Sequence, residues 1–355
     1  MKITHIGFLF FVAFFLASCG SENTGTVSQA PAPAVKSGID KSGTPTKLAE
    51  GEVWENGQKY FVLNVPYSPE PTSPDLLVTG EENGFFEEYG IKLKSVGAVP
   101  GNQVIPSVLK GLIHTNSGGH INTTIAAISA GAKIKAVSQK TETSQRIPHK
   151  VAIVRTNSPI RTAHDLVGKK IGTSSVSGCS GYFSLAYMRK FGIPDVKNAS
   201  NLVVIKEVVL EQALRQGDVD VSLMHKVPEY YAKSKEFEVI FTDYDIWENR
   251  GGGTPNFFHL DFIAQHPDVV RNFVAAMAKT VNWANDHPLE NRQITARRFN
   301  IDVNTVTERY YAPNAIIKDD SVTVWVDVLK EFNEIPEAVP SEKIYTNEFN
   351  PYYTS

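Results

Sequence analysis

The chain has 355 residues, 42% of them hydrophobic, which is enough for one large or two modest cores and excludes a fibrous or wholly disordered protein. A formal net charge of −3 without any Lys/Arg-rich run excludes non-specific nucleic-acid binding, because neutralising phosphates takes a basic stripe.

In chain order, Met1 and Lys2 precede the apolar run 6–16 (IGFLFFVAFFL), too short for a membrane span but matching a signal-peptide core. Leu16-Ala17-Ser18-Cys19, followed by Gly20, looks like a bacterial lipobox. Residues 1–19 are therefore expected to be a lipoprotein signal peptide, with Cys19 lipidated; an ordinary cleaved secretory peptide would export the chain equally. With lipid on Cys19, Cys179 is the only other cysteine, so no intramolecular disulfide can form and the core must supply the stability. Residues 20–57 are read as a flexible tether, because the stretch to about residue 50 is rich in Ser, Thr, Gly, Pro and Ala and buries too little to offset chain entropy.

From residue 60 the pattern alternates. Strands are predicted at 60–65, 91–96, 134–137, 150–155, 170–172, 202–205 and 219–223, with helices at 75–89, around 104–112, and at 121–130, 182–191 and 210–216. Repeated β-α units of this length favour an α/β fold with largely parallel sheets. The last third is helical: 267–287 places Val269, Val270, Phe273, Ala276, Met277, Thr280 and Val281 on one face, and 321–332 does likewise.

In open parallel sheets ligands collect where strands end and helices begin, beside unpaired backbone N–H groups. Three loops fit. The first is 172–183 (GTSSVSGCSGYF), with Ser175, Ser177, Gly178, Cys179 and Tyr182; the second is 118–124 (GGHINTT), with His120, Asn122, Thr123 and Thr124; the third is 224–228 (MHKVP), with His225 and Lys226. Tyr67 and Ser68, after the first strand, join them as candidate ligand contacts. Each loop also has a structural reading, since Ser and Thr at helix starts are commonly caps. Cys179 is open to three readings: a nucleophile at a helix start, a soft-metal ligand near His120, His225 or Met224, or a small buried filler. No cofactor is expected, and no metal site either, because the histidines are scattered and no close H-x-x-x-H or C-x-x-C spacing occurs.

Several segments resemble the substrate-binding proteins of ABC importers of the nitrate, sulfonate (including taurine) and bicarbonate type. These are 82–91 (ENGFFEEYGI), 126–134 with Ala130-Gly131-Ala132, 154–160 (VRTNSPI), 165–172 (DLVGKKIG), 213–220 (ALRQGDVD) and 266–270 (HPDVV) leading into a helix with Trp283. The resemblance covers roughly residues 62–300. It implies a two-lobed periplasmic-binding-protein fold of type 2, each lobe a mostly parallel sheet flanked by helices, joined by a double crossover hinge near Val151 and Phe257. Lobe 1 would be 58–146 plus 256–355 and lobe 2 would be 147–255. It further implies a monomer that binds a small anionic or polar, sulfonate-like solute without catalysis and delivers it to ABC permease and ATPase subunits, held to the membrane by its lipid. In that setting Ser177, Gly178 and Thr124 would donate to the solute's head group. Relatives often carry Trp-Glu-Pro where this chain has His225-Lys226-Val227-Pro228, a change toward positive charge that favours an anion. The alternatives are an enzyme of the same fold, in pyrimidine or menaquinone precursor synthesis, or a sensory lipoprotein.

Overall fold

A computed structural model of the protein describes residues 50–67 and 71–354. The signal peptide, Cys19, most of the tether and Ser68 lie outside the described residues. Among the described residues, no helix is long and apolar enough to cross a membrane.

Eleven strands form three sheets among the described residues. Strands β1 (Glu52–Glu55), β2 (Gln58–Tyr67) and β3 (Ile91–Ala98) lie in that order, β1 antiparallel and β3 parallel to β2. Residues 52–55, read from the sequence as tether, are thus the first strand, paired through Glu52 with Phe61. Strand β4 (Ile134–Glu142) then leads out of this lobe. Strands β5 (Val151–Arg155), β6 (Lys170–Thr173), β7 (Asn201–Val204), β8 (Val221–Met224) and β9 (Phe237–Thr242) make a five-stranded sheet in the order β7-β6-β8-β5-β9. Strand β10 (Thr254–His259) returns to pair with β4, whose other edge receives β11 (Tyr310–Tyr311).

The chain therefore crosses between sheets twice, at 143–150 and at 243–253. Because β4 leaves and β10 returns, the two must run antiparallel, and β5 is likewise antiparallel to both its neighbours. The parallel part is β2-β3 and β7-β6-β8. This is the expected two-lobed α/β fold, with antiparallel pairs at the crossings that the β-α alternation alone does not disclose.

One core gathers Leu63, Phe86, Phe258, Phe273 and Met277, where the helix Pro267–Asp286 lays a stripe at three- and four-residue spacing on the first sheets. Pro267 starts that helix at a position where its missing N–H costs nothing. A second core gathers Val154, Phe183, Met188, Leu223 and Trp325. Trp325 comes from the helix Asp319–Glu331, so a segment the sequence division placed in lobe 1 packs with the side chains of the helix Cys179–Lys190. The predicted helix 75–89 is two helices, Leu76–Glu82 and Phe85–Glu88, parted where Gly84 takes φ +72°.

Candidate functional site

Where the chain crosses between lobes, polar side chains are buried in unusual number. The second half of β4, Ser138 to Glu142, is polar, yet Ser138, Gln139, Lys140 and Glu142 are all buried. Lys140 Nζ donates to the Ser117 carbonyl at 2.8 Å. Burial pulls its ammonium pKa down to about 7, with Asp75 opposing more weakly. Arg309, just before β11, donates from Nη1 to the His149 carbonyl (3.4 Å) and from Nη2 to the His225 carbonyl (3.1 Å). No carboxylate comes within ion-pair distance of Lys140 or Arg309 among the described residues.

Both cations line a cavity of about 180 Å³, together with Thr141, Thr254, His149 and His225. Next to it, and sharing Thr72 with it, lies a cavity of about 530 Å³ lined by Phe299, Ile301, Met224, Tyr230, Glu207 and Lys226. Both cavities draw residues from the five-stranded sheet's side and from the first lobe.

Behind the small cavity sits a cluster of imidazoles and a thiol. His225 follows β8, and its Nδ1 stands 2.5 Å from Glu207 Oε2 while its backbone N–H donates to Glu207 Oε1 at 2.6 Å. Burial alone would raise the Glu207 carboxyl, but His225 and Lys150 outweigh it and hold the carboxylate well below its usual range. Burial, with Lys150 and Arg309 nearby, lowers the His225 pKa to about 4 against the pull of Glu207. Cys179 Sγ lies 3.7 Å from His149 Nε2 and 3.9 Å from His225 Nε2. Burial pushes the thiol pKa up and the His149 pKa down. His120 caps the helix Ile121–Ser129; its Nε2 contacts the Gly251 carbonyl at 2.9 Å, and burial drops its pKa to about 3.

The sequence candidates distribute unevenly around this centre. His225 lines the small cavity and Lys226 the large one, with Lys226 Nζ 3.5 Å from the Thr305 carbonyl. His120 and Cys179 join the buried cluster, while Asn122 reaches across to the Ser177 carbonyl at 3.4 Å. The remaining hydroxyls are spent locally. Ser175 Oγ accepts from the N–H groups of Ser177 and Gly178, each at 3.2 Å, and Thr123 Oγ1 donates to the His120 carbonyl at 2.7 Å. Thr124 is buried within its helix, and Tyr182 packs on Phe332 beside a different cavity, which Ser177 also lines. Tyr67 is committed to Arg298 (2.6 Å) and Glu81 (3.2 Å), and Ser68 lies outside the described residues.

Gly172 and Gly181 of 172–183 have a packing reason, a Cβ on Gly172 meeting the Leu210 side chain at 2.7 Å. A Cβ on Gly181 would stand 2.0 Å from the Val176 carbonyl oxygen, so only glycine lets the loop fold down on the helix it feeds. Lys140, Arg309, His149 and Glu207 escaped the sequence reading; the legible hint was a lysine, Lys150, directly before an otherwise apolar strand.

Comparison with known proteins follows this geometry. The family model described as NMT1/THI5 like matches residues 75–291. The chain belongs to the NMT1/THI5-like family. No protein of curated function matches its sequence. In three dimensions this NMT1/THI5-like chain is similar to the periplasmic aliphatic sulphonate-binding protein SsuA from Escherichia coli, with 17% identity and a TM-score of 0.63 over 81% of this chain and 98% of that one. It is similar to the periplasmic nitrate-binding protein NrtA from Synechocystis PCC 6803, with 11% identity and a TM-score of 0.63 over 81% and 86%. It is also similar to the desulfurization enzyme DSZB, with 18% identity and a TM-score of 0.57 over 81% and 97%. These likenesses place the NMT1/THI5-like chain in the two-lobed binding-protein fold.

Proposed function

We propose that the protein is an extracytoplasmic solute-binding component of an ABC importer and that it takes a small organic anion between its lobes. The observation that carries this reading is the pair of buried cations, Lys140 and Arg309, on one cavity without a carboxylate within ion-pair distance among the described residues. Leaving a buried charge unpaired costs several kcal/mol, and an anion drawn from solution offsets that cost. The adjoining cavity, with Phe299, Ile301 and Met224 on its wall, suits an apolar body behind the anionic head. Structural neighbours that bind sulphonate or nitrate lend support, as does the export signal with Cys19 as a lipid anchor facing a permease and its ATPase. The protein then acts as a monomer that grips its solute and does no chemistry.

The test is a thermal-shift and calorimetric screen over aliphatic sulfonates, carboxylates, nitrate and phosphate esters. One-to-one binding that raises the melting point, lost in Lys140→Met and Arg309→Met, is the expected outcome. Uniform indifference to anions alongside a shift by a neutral or cationic solute would reject it.

A second reading has one specific observation behind it: Glu207, His225 and Cys179 lie in line, as a carboxylate, a base and a thiol would in a nucleophilic enzyme. The buried thiol's raised pKa counts against it. Turnover of a candidate compound, or a covalent adduct on Cys179 after incubation, would favour that enzyme.

A further inference from the structure

His120, His149, Cys179 and His225 arrive from four separate segments, and their ring nitrogens and sulfur converge. One ligand atom from each of His120, His149 and Cys179 lies within 4.8 Å of the others. Nε2 of His149 and Nε2 of His225 stand 3.7 and 3.9 Å from the Cys179 sulfur. In a tetrahedral site with ordinary metal–sulfur and metal–nitrogen bonds, sulfur and nitrogen are about 3.5 Å apart.

The tautomer of His225 points the same way. A carboxylate only accepts, so His225 Nδ1 carries its proton toward Glu207 and Nε2 turns a lone pair toward the sulfur. A carboxylate or carbonyl behind the outer N–H is what orients imidazoles for a metal. His120, by contrast, is engaged at both nitrogens, Nε2 donating to the Gly251 carbonyl and Nδ1 accepting the Asn122 N–H as the cap of its helix.

We infer that Cys179, His149 and His225 bind one d¹⁰ metal ion, Zn(II) or Cu(I). Thiolate with imidazole selects such ions over Mg(II) or Ca(II). On binding, the S–H proton leaves to solvent as the metal–sulfur bond forms, with no change of oxidation state. The site adjoins the proposed anion cavity, which His149 and His225 also line.

The test uses the tag-free full chain, stripped by chelator, then loaded with Zn(II) in one arm and Cu(I) under anaerobic conditions in the other. Elemental analysis after dialysis should find one ion per chain in at least one arm, and the metal should shield Cys179 from alkylation. Co(II) in place of zinc should give a sulfur-to-cobalt charge-transfer band that Cys179→Ser removes although Cys19 remains. Glu207→Gln keeps every ligand and should weaken binding about 10–100-fold. Retention of neither ion, or unchanged affinity in Cys179→Ser, overturns the inference. Where Cys179→Ser fails to fold, absence of the thiolate band in the wild-type cobalt protein, or alkylation of Cys179 undiminished by metal, overturns it as well.

Discussion

Glu207 holds His225 at two points, ring and backbone: Oε2 is 2.5 Å from Nδ1 and Oε1 accepts the main-chain N–H at 2.6 Å. One carboxylate thus sets both the position of the turn after β8 and the direction in which the imidazole presents its lone pair. Glu207→Gln should lower unfolding free energy by about 1–3 kcal/mol, the scale of hydrogen bonds to a buried charged group. Because the folded carboxyl titrates below the ordinary value of 4.5, that contribution is full above about pH 4.5 and fades as pH falls further. Denaturant curves of both proteins across pH 3 to 7, roughly, should therefore converge at the acid end.

Lys140 titrates near pH 7 in the ligand-free protein against an ordinary 10.5. The unfolded chain binds the extra proton between those values, so the lysine's effect on ligand-free stability becomes more favourable as pH rises through that window. Anion binding runs the other way, because the ammonium is the form that attracts. Affinity should drop by up to about 10-fold per pH unit above 7, with proton uptake visible as a buffer-dependent calorimetric heat.

Lys140→Met and Arg309→Met should separate cleanly without ligand. Lys140 offers one hydrogen bond to the Ser117 carbonyl, so its removal should stabilise the empty protein by about 1–2 kcal/mol. Arg309 serves the carbonyls of His149 and His225 at once, so its removal should destabilise by about 1–3 kcal/mol. Opposite shifts in unfolding midpoint, with both variants weakened toward the anion, are expected.

Gly181→Ala should cost about 1–3 kcal/mol, since the new methyl meets the Val176 carbonyl and the loop must lift. Faster amide exchange at Ser177 and Gly178, whose N–H groups are held by Ser175 Oγ, would register the lifting. Unchanged exchange and stability would show that the loop does not need the close approach.

Asp243 joins the two crossings: Oδ2 accepts from Thr143 Oγ1 and Oδ1 from the Lys150 amide at 3.1 Å. Asp243→Ala leaves those buried donors without an acceptor, at about 1–3 kcal/mol for each. Native-state hydrogen exchange should quicken at Lys150 before it does in the middle of β5.

The alternation of β and α was legible because buried strands such as 151–154 are uniformly apolar and helices such as Pro267–Asp286 repeat every three to four residues. The polar half of β4 was not, because Ser138-Gln139-Lys140-Thr141-Glu142 has the composition of a solvated loop and becomes buried only when residues more than a hundred positions away cover it. Arg309 and His149 were hidden for the same reason: neither sits in a local pattern, and the chain must fold before their carbonyl-to-guanidinium contact exists. His225 and Cys179 stood out as unusual residues in loops at strand ends, and the fold brings them to 3.9 Å of one another. The hydroxyls of 172–183 are ambiguous in one dimension, since a cap and a ligand donor look alike there, and in the fold Ser175 Oγ is engaged with the N–H groups of Ser177 and Gly178.

The Gly251 carbonyl accepts from two rings, His120 Nε2 at 2.9 Å and Trp325 Nε1 at 3.0 Å. That single oxygen lies on the return crossing, between a helix start and the helix near the chain's end. Any swing that parts the lobes must carry Trp325 along or sever its tie, so the distal helix is mechanically part of the pivot and would feel the arrival of a guest it never touches.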